Sequence, residues 1–243
     1  MLGALSARDA GALAFSAVGS YAWVKIFDLL AVNGVLEQKL SRKLVHITTG
    51  PLFILTWPLF SDAAYARYIA LIVPTANFLR LLLVGTGVLQ DEGLVKSISR
   101  ESDRTELLRG PIYYIAMLMA VTALCWRDSV AGYMVVAVTC AGDGFADVIG
   151  RRWGRHCWAG NHPKTQEGSA AMFVAGAGTA IGLMSAFRWL GYVDFAPGPT
   201  FLGAVFIAFI ATVVEALPIN KLVDDNLSVP LIAGLLANWL LAG

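Results

Sequence analysis

One polar stretch in an otherwise apolar sequence carries the residue types and spacing of a metal–phosphate site. It reads Cys140-Ala-Gly-Asp-Gly-Phe-Ala-Asp-Val-Ile-Gly-Arg-Arg-Trp-Gly154, and Lys164-Thr-Gln-Glu-Gly-Ser169 follows it. Asp143 and Asp147 are four residues apart, so a helix would place both carboxylates on one face. Mg²⁺ is commonly held by one or two carboxylates together with substrate phosphates, and a lysine supplies a point charge for phosphate oxygens. The stretch predicts magnesium-dependent phosphate chemistry in which Asp143, Asp147 and Lys164 are catalytic and both aspartates bind the metal.

A plainer interpretation is that the two aspartates only cap a helix end or pair with Arg151 and Arg152. Capping does not require the flanking glycines or the second polar cluster downstream. Ionisable groups at membrane depth are also costly, which makes them functional candidates by default. We therefore favour the metal site.

A second acidic cluster lies near the end of the chain. Glu215 falls within an apolar run, and Asp224, Asp225 and Asn226 follow soon after it. These carboxylates are candidate ligands for a second cation, or they complete the first site. The alternative for the triplet is a turn with a helix N-cap.

Basic residues at predicted helix ends are candidates for phosphate contacts. Arg42, Lys43 and His46 lie at a predicted membrane surface, where they could equally serve as orientation signals. Arg109 lies two residues before Pro111, and proline is favoured at the first position of a helix. The Arg109 guanidinium would then lie at a helix N-terminus, where it could contact phosphate. The basic loop between residues 151 and 168 could fold over an anionic ligand. The candidate nucleotide or phosphate ligands are Arg42, Lys43, His46, Arg109, Arg151, Arg152, Lys164, Thr165 and Gly168.

The composition is that of an integral membrane protein. Of 243 residues, 57% are hydrophobic and 14% charged, whereas soluble domains carry about 25% charged residues. A net charge of +1 gives no indication of a nucleic-acid partner. Three widely spaced cysteines predict neither a disulfide framework nor a zinc site.

Hydropathy predicts an all-α polytopic fold in one membrane domain over residues 1–243. Spans need about 20 apolar residues, and eight segments qualify, at about 11–33, 44–60, 65–88, 110–126, 129–149, 168–190, 199–217 and 227–242. Twelve basic residues lie in the loops after odd-numbered spans and four on the opposite side. This bias predicts that the long polar loops lie on one face of the membrane, which is the cytoplasmic face or, in a plastid, the stromal face.

Several short motifs together resemble the plastid phytol kinases and farnesol kinases of the polyprenol kinase family, which includes dolichol kinase. They cover nearly the whole chain in the family's order. The matching pieces are Ser41-Arg-Lys-Leu-Val-His46, Trp57-Pro-Leu-Phe-Ser61, Ala66-Arg-Tyr68, Leu94-Val-Lys-Ser97, Glu106-Leu-Leu-Arg-Gly-Pro-Ile-Tyr-Tyr114, Gly142-Asp-Gly-Phe-Ala-Asp147 with Gly150-Arg-Arg152, Lys164-Thr-Gln-Glu-Gly-Ser169, and Asp224-Asp-Asn226 with Val229-Pro230.

The resemblance implies a kinase that transfers phosphate from CTP to phytol, giving phytyl phosphate for tocopherol synthesis. Its implied partners are CTP, Mg²⁺, the isoprenoid alcohol and the bilayer; an oligomeric state is not implied. It also implies a chloroplast membrane. No secretory signal or transit peptide is visible, so we expect either a start close to the mature end or targeting residues upstream.

One motif departs from the plant phytol kinase pattern. These enzymes carry Lys-Ser-Trp-Ala-Gly-Ser where this chain has Lys164-Thr-Gln-Glu-Gly-Ser169, a form more similar to dolichol kinase and CTP:phosphatidate cytidylyltransferases. Farnesol or geranylgeraniol as acceptor, and cytidylyl transfer to phosphatidate, therefore stay open. A secondary transporter is a further alternative, but no internal inverted repeat supports it.

Overall fold

The computed structural model describes residues 6–99, 101–218 and 224–241. The chain divides into two compact units: Met1–Val45 with Leu52–Trp126, and His46–Pro51 with Arg127–Gly243. The prediction of one membrane domain over the whole chain is not tested by this division and stays a prediction. Each unit is described by itself below.

Helices dominate both units, which confirms the predicted all-α membrane fold. Within the described residues, six helical segments are long and apolar enough to cross a membrane: Ala7–Val32, Ala66–Gly85, Arg104–Leu124, Val130–Trp153, Gln166–Trp189 and Pro197–Ala216. The other two predicted spans are also helical, at Gln38–Leu55 and Asp225–Leu240. Gln38–Leu55 has 18 residues but is too polar to count as a span, and Asp225–Leu240 has only 16 residues, so the predicted count of eight spans is not confirmed.

The first unit contains six α-helices in whole or in part. They are α1 (Ala7–Val32), most of α2 (Gln38–Leu55), α3 (Ala66–Ala70), α4 (Ile72–Gly85), α5 (Glu92–Ile98) and α6 (Gly110–Leu124), with 3₁₀ turns at Trp57–Leu59 and Arg104–Leu108. The buried Asp9 of α1 accepts hydrogen bonds from Ser61 N and Oγ at 2.7 and 2.8 Å. Trp57 stacks on Trp126 with ring centroids 4.9 Å apart. The sequence motif 57–61 thus has a structural role within this unit.

The second unit contains the polar stretch that the sequence singles out. Its elements are residues 46–51 of α2, then α7 (Val130–Val136), a π-helical turn (Ala137–Gly142), α8 (Asp143–Trp153), strands β1 (Cys157–Trp158) and β2 (Asn161–Thr165), α9 (Gln166–Trp189), α10 (Pro197–Ala216) and α11 (Asp225–Leu240). A further 3₁₀ turn covers Trp126–Asp128. β1 and β2 form an antiparallel hairpin, with Cys157 paired to Thr165 and Trp158 to Asn161.

Helices α8 and α9 approach closely along a seam of four glycines, Gly142, Gly150, Gly168 and Gly176. A Cβ on Gly168 would lie 2.8 Å from the Ala146 carbonyl oxygen, and one on Gly150 would lie 3.6 Å from the Gly168 Cα. A Cβ on Gly142 would lie 3.7 Å from the Gly176 Cα. Small residues allow such backbone proximity between membrane helices. The glycine seam therefore fixes α8, and the aspartates that it carries, against α9.

Candidate functional site

Three helix ends in the second unit bring carboxylates together. Asp143 is the first residue of α8, Glu215 lies in the last turn of α10, and Asp225 is the first residue of α11. One carboxylate oxygen from each lies within 4.8 Å of the others. Glu215 is 2% exposed, while the other two side chains are partly exposed. This acidic cluster joins the sequence's two separate acidic regions in one site.

Lys164 of β2 supplies the positive charge in the acidic cluster. Its Nζ donates hydrogen bonds to Glu215 Oε1 and, at 3.1 Å, to Asp225 Oδ2. Burial alone would lower the pKa of Lys164, but the Glu215, Asp225 and Asp143 carboxylates outweigh burial and raise it above its ordinary value. The ammonium therefore stays protonated beside three carboxyl groups.

The donor set of the acidic cluster fits a divalent cation. Mg²⁺ takes oxygen ligands at about 2.0–2.1 Å, so two ligands on opposite sides of it are about 4.2 Å apart. The three carboxylate oxygens, within 4.8 Å of one another, are close to that spacing. Asp143, Glu215 and Asp225 are the residues that could hold the ion.

The hairpin positions Lys164 through contacts on both sides. Asn161, 6% exposed, donates from Nδ2 to the Ala216 and Leu217 carbonyl oxygens at 2.9 and 3.2 Å. These carbonyls lie at the C-terminus of α10, where helical partners are missing. Trp158 Nε1 donates to Ser169 Oγ of α9 at 2.9 Å. The hairpin is therefore tied to the two helices that flank it.

Asn161 is a residue that the sequence interpretation missed. It lies in the basic loop that was predicted to fold over an anionic ligand, and its partners are 55 and 56 residues away in the chain. No local pattern predicts such a contact. The only available signal was its position three residues before Lys164.

Asp147 has a different environment from Asp143. Its Oδ1 forms an ion pair with Arg151 Nη2 at 2.6 Å, one helical turn further along α8. This is the pairing weighed as the plainer interpretation, and Asp147 is outside the acidic cluster found among the described residues. Arg152 lies over the Trp153 ring at 5.3 Å. The phosphate-binding roles of Arg151 and Arg152, and the metal-binding role of Asp147, stay predictions.

Other predicted ligands take part in local structure. Thr165 is the N-cap of α9, and its side chain accepts a hydrogen bond from Gly168 N at 3.1 Å. Gly168 belongs to the glycine seam. Asp224 caps α11 by accepting from Asn226 N at 2.9 Å. Each residue has a structural reason to be present, whether or not it also contacts a ligand.

The remaining predicted phosphate ligands are in different places. His46, in the second unit, lies with Nε2 3.4 Å from Asp143 Oδ2. Arg42, Lys43 and Arg109 belong to the first unit. Arg42 donates to the Ser99 carbonyl oxygen at 2.9 Å, and Arg109 is exposed beside the start of α6. Their phosphate contacts stay predictions.

Curated proteins similar to this chain share one name. The chain is 48% identical to a probable chloroplastic phytol kinase 1 of Glycine max over 92% of this chain and 74% of that protein. It is 44% identical to a probable chloroplastic phytol kinase of Triticum aestivum, over 97% of this chain and 78% of that protein. It is 41% identical to chloroplastic phytol kinase 1 of Arabidopsis thaliana, over 97% of this chain and 77% of that protein.

No family model matches the chain, and no solved structure matches it significantly. The curated relatives exceed 40% identity over almost the whole sequence, and each is covered for about three quarters of its length. The chain therefore belongs to the phytol kinase family.

Proposed function

We propose that this protein is a kinase of a plastid membrane that transfers the γ-phosphoryl group of CTP to the hydroxyl of phytol. The observation that carries the proposal is the high identity to proteins named phytol kinase over nearly the entire chain. The acidic cluster with Lys164 supports the same chemistry from the structure. CTP as donor rests on the family resemblance alone.

The residues of the acidic cluster suit phosphoryl transfer, which depends mostly on positioning and charge stabilisation. Mg²⁺ bound by Asp143, Glu215 and Asp225 would neutralise charge on the triphosphate. Lys164 presents an ammonium, a suitable point-charge donor to phosphate oxygens. Lys164 donates hydrogen bonds to Glu215 and Asp225, so this ammonium lies beside two of the proposed metal ligands.

The transfer balances as an in-line displacement. The phytol oxygen forms a bond to the γ-phosphorus while the bond to the β–γ bridging oxygen breaks, and CDP leaves. The hydroxyl proton passes to a carboxylate, for which Asp143 and Asp147 are the candidates. The isoprenoid tail, being apolar, remains in the bilayer while the hydroxyl reaches the polar ends of the helices.

One assay separates this function from its alternatives. Purified protein in detergent is incubated with Mg²⁺ and either γ-labelled or α-labelled CTP, with phytol, farnesol, geranylgeraniol or phosphatidate as acceptor. We expect label in the lipid from γ-labelled CTP alone, with phytol the best acceptor. The Asp143→Asn variant serves as the background control.

Different results would overturn different parts of the proposal. Incorporation of α-label into phosphatidate would identify a cytidylyltransferase, which the Lys164-Thr-Gln-Glu-Gly-Ser169 form resembles. Faster transfer to farnesol or geranylgeraniol than to phytol would show that one of these alcohols, and not phytol, is the preferred substrate. Absence of transfer to every acceptor would refute CTP as the phosphoryl donor.

A further inference from the structure

We propose that His46 is a positioning residue that holds the Asp143 carboxylate in the orientation required at the acidic cluster. The catalytic meaning of this inference rests on the proposed function. The contact between His46 and Asp143 does not depend on the proposed function, because it lies within one unit and involves only side chains and backbone of this chain. The sequence had suggested a different role for His46, as a phosphate ligand.

The contacts of the imidazole define which way its proton points. His46 Nε2 lies 3.2 Å from the Thr139 carbonyl oxygen and 3.4 Å from Asp143 Oδ2. A carbonyl oxygen can only accept a hydrogen bond, so Nε2 must carry a proton. That N–H can donate to the Thr139 carbonyl oxygen, and the Asp143 carboxylate, four residues further along the chain, lies 3.4 Å from the same nitrogen.

The backbone that precedes Asp143 departs from regular α-helical geometry. Thr139 belongs to the π-helical turn Ala137–Gly142, and α8 begins at Asp143 directly after it. Such turns interrupt regular α-helical pairing and are frequent at functional sites. Because His46 contacts both the turn and the first residue of α8, it links the carboxylate to the backbone that carries it.

Gly144 allows α2 to come close enough for this contact. A Cβ at Gly144 would lie 2.1 Å from Ile47 Cγ1, far inside any permitted distance. Ile47 is 6% exposed, so its side chain has little room to move away. Gly144 therefore sets the spacing between residues 46–51 of α2 and the start of α8. This gives a physical reason for the glycine between Asp143 and Phe145.

Burial strengthens the case for orientation. The side chains of His46 and Asp143 are 19% and 16% exposed, so the contact is largely shielded from water. Groups that orient a metal-binding side chain typically change affinity or activity by about 10–100-fold when removed. We expect His46→Ala to lower kcat by about this factor. His46→Gln should recover most of the loss, because the glutamine amide keeps an N–H near the position of Nε2.

A mutant cycle on stability tests the contact without substrate, nucleotide or metal. The thermal midpoint of the purified protein is measured for His46→Ala in three backgrounds: wild type, Asp143→Ala and Asp147→Ala. We expect His46→Ala to lower the midpoint by about 2–4 °C in the wild type. The decrease should be less than half as large with Asp143→Ala, and unchanged with Asp147→Ala, the matched control on the same helix.

The outcomes separate the two levels of the inference. Equal decreases in all three backgrounds would show that His46 does not act through Asp143 and would overturn the proposal. Equal loss of kcat in His46→Ala and His46→Gln would overturn the orienting role of the N–H. A wild-type protein without kinase activity would refute the proposed function, while the stability cycle would still report on the contact.

Discussion

Replacing Lys164 by alanine should destabilise the protein as well as impair catalysis. The substitution removes the ammonium that donates to Glu215 and Asp225, and Glu215 is only 2% exposed. Removing one partner of a buried ion pair costs about 3–5 kcal/mol. Lys164 itself retains 23% exposure, so the lower value applies. At about 2–4 °C per kcal/mol for a chain of this size, the thermal midpoint should fall by roughly 6–12 °C.

The assay combines heating with size-exclusion chromatography of detergent-solubilised protein. Lys164→Ala is compared with Arg155→Ala, which removes an exposed basic side chain from the same loop and should leave the midpoint nearly unchanged. The double variant Lys164→Met with Glu215→Gln removes the buried charge along with its partner and should recover much of the stability. It should not recover kinase activity, because no ammonium then faces the phosphates.

The pKa of Lys164 predicts how this stabilisation varies with pH. Since the folded pKa is raised above the unfolded value of about 10.4, the contribution is complete below that value and is lost only as the pH rises through the folded pKa. The difference in midpoint between wild type and Lys164→Ala should therefore be constant from about pH 7 to 10. An unchanged midpoint in Lys164→Ala, or full activity in the double variant, would refute the reasoning.

Three further predictions follow from neighbouring residues. Asp143→Asn should lower kcat by about 10²–10³ and more than Asp147→Asn, because only Asp143 belongs to the acidic cluster; equal losses, measured with labelled CTP, would contradict this. Gly168→Ala should cost about 1–3 kcal/mol of stability, whereas Gly182→Ala, with nothing within 4 Å of its Cβ, should be tolerated; thermal midpoints compare them. Asn161→Asp, which loses both donors to the α10 carbonyls, should lower kcat while the protein still purifies as a folded species; wild-type kcat would exclude a positioning role.

Periodic and compositional signals predicted the helices and part of the site. All eight apolar segments are helical, and the six that are long and apolar enough to cross a membrane would have to satisfy their backbone hydrogen bonds internally there. Asp143, Lys164, Glu215 and Asp225 were all candidate site residues from the sequence, and the structure does bring these four together. Their catalytic and metal-binding roles stay predictions.

Tertiary contacts explain what the sequence pattern did not provide. Four-residue spacing put Asp143 and Asp147 on one face and also allowed Asp147 to pair with Arg151, as it does, but spacing did not distinguish the environments of the two aspartates. The approach of α2 to Gly144, which places His46 at Asp143, depends on close packing between segments almost 100 residues apart. Such contacts leave no local signature, because they depend on the shape of both partners.

The glycine seam between α8 and α9 limits how enzymes of this kind can diverge. At Gly168 an added methyl group would lie 2.8 Å from the Ala146 carbonyl oxygen of the facing helix, and at Gly142 it would lie 3.3 Å from the Met172 side chain, so these two positions tolerate little change. A shift of α8 would also move Asp143 away from Glu215 and Asp225. We expect such a shift to impair phosphoryl transfer to every alcohol substrate alike. We therefore expect adaptation to a longer or shorter alcohol to come from side chains outside the glycine seam. A deep mutational scan should show this as an intolerant helix pair surrounded by permissive lipid-facing surfaces.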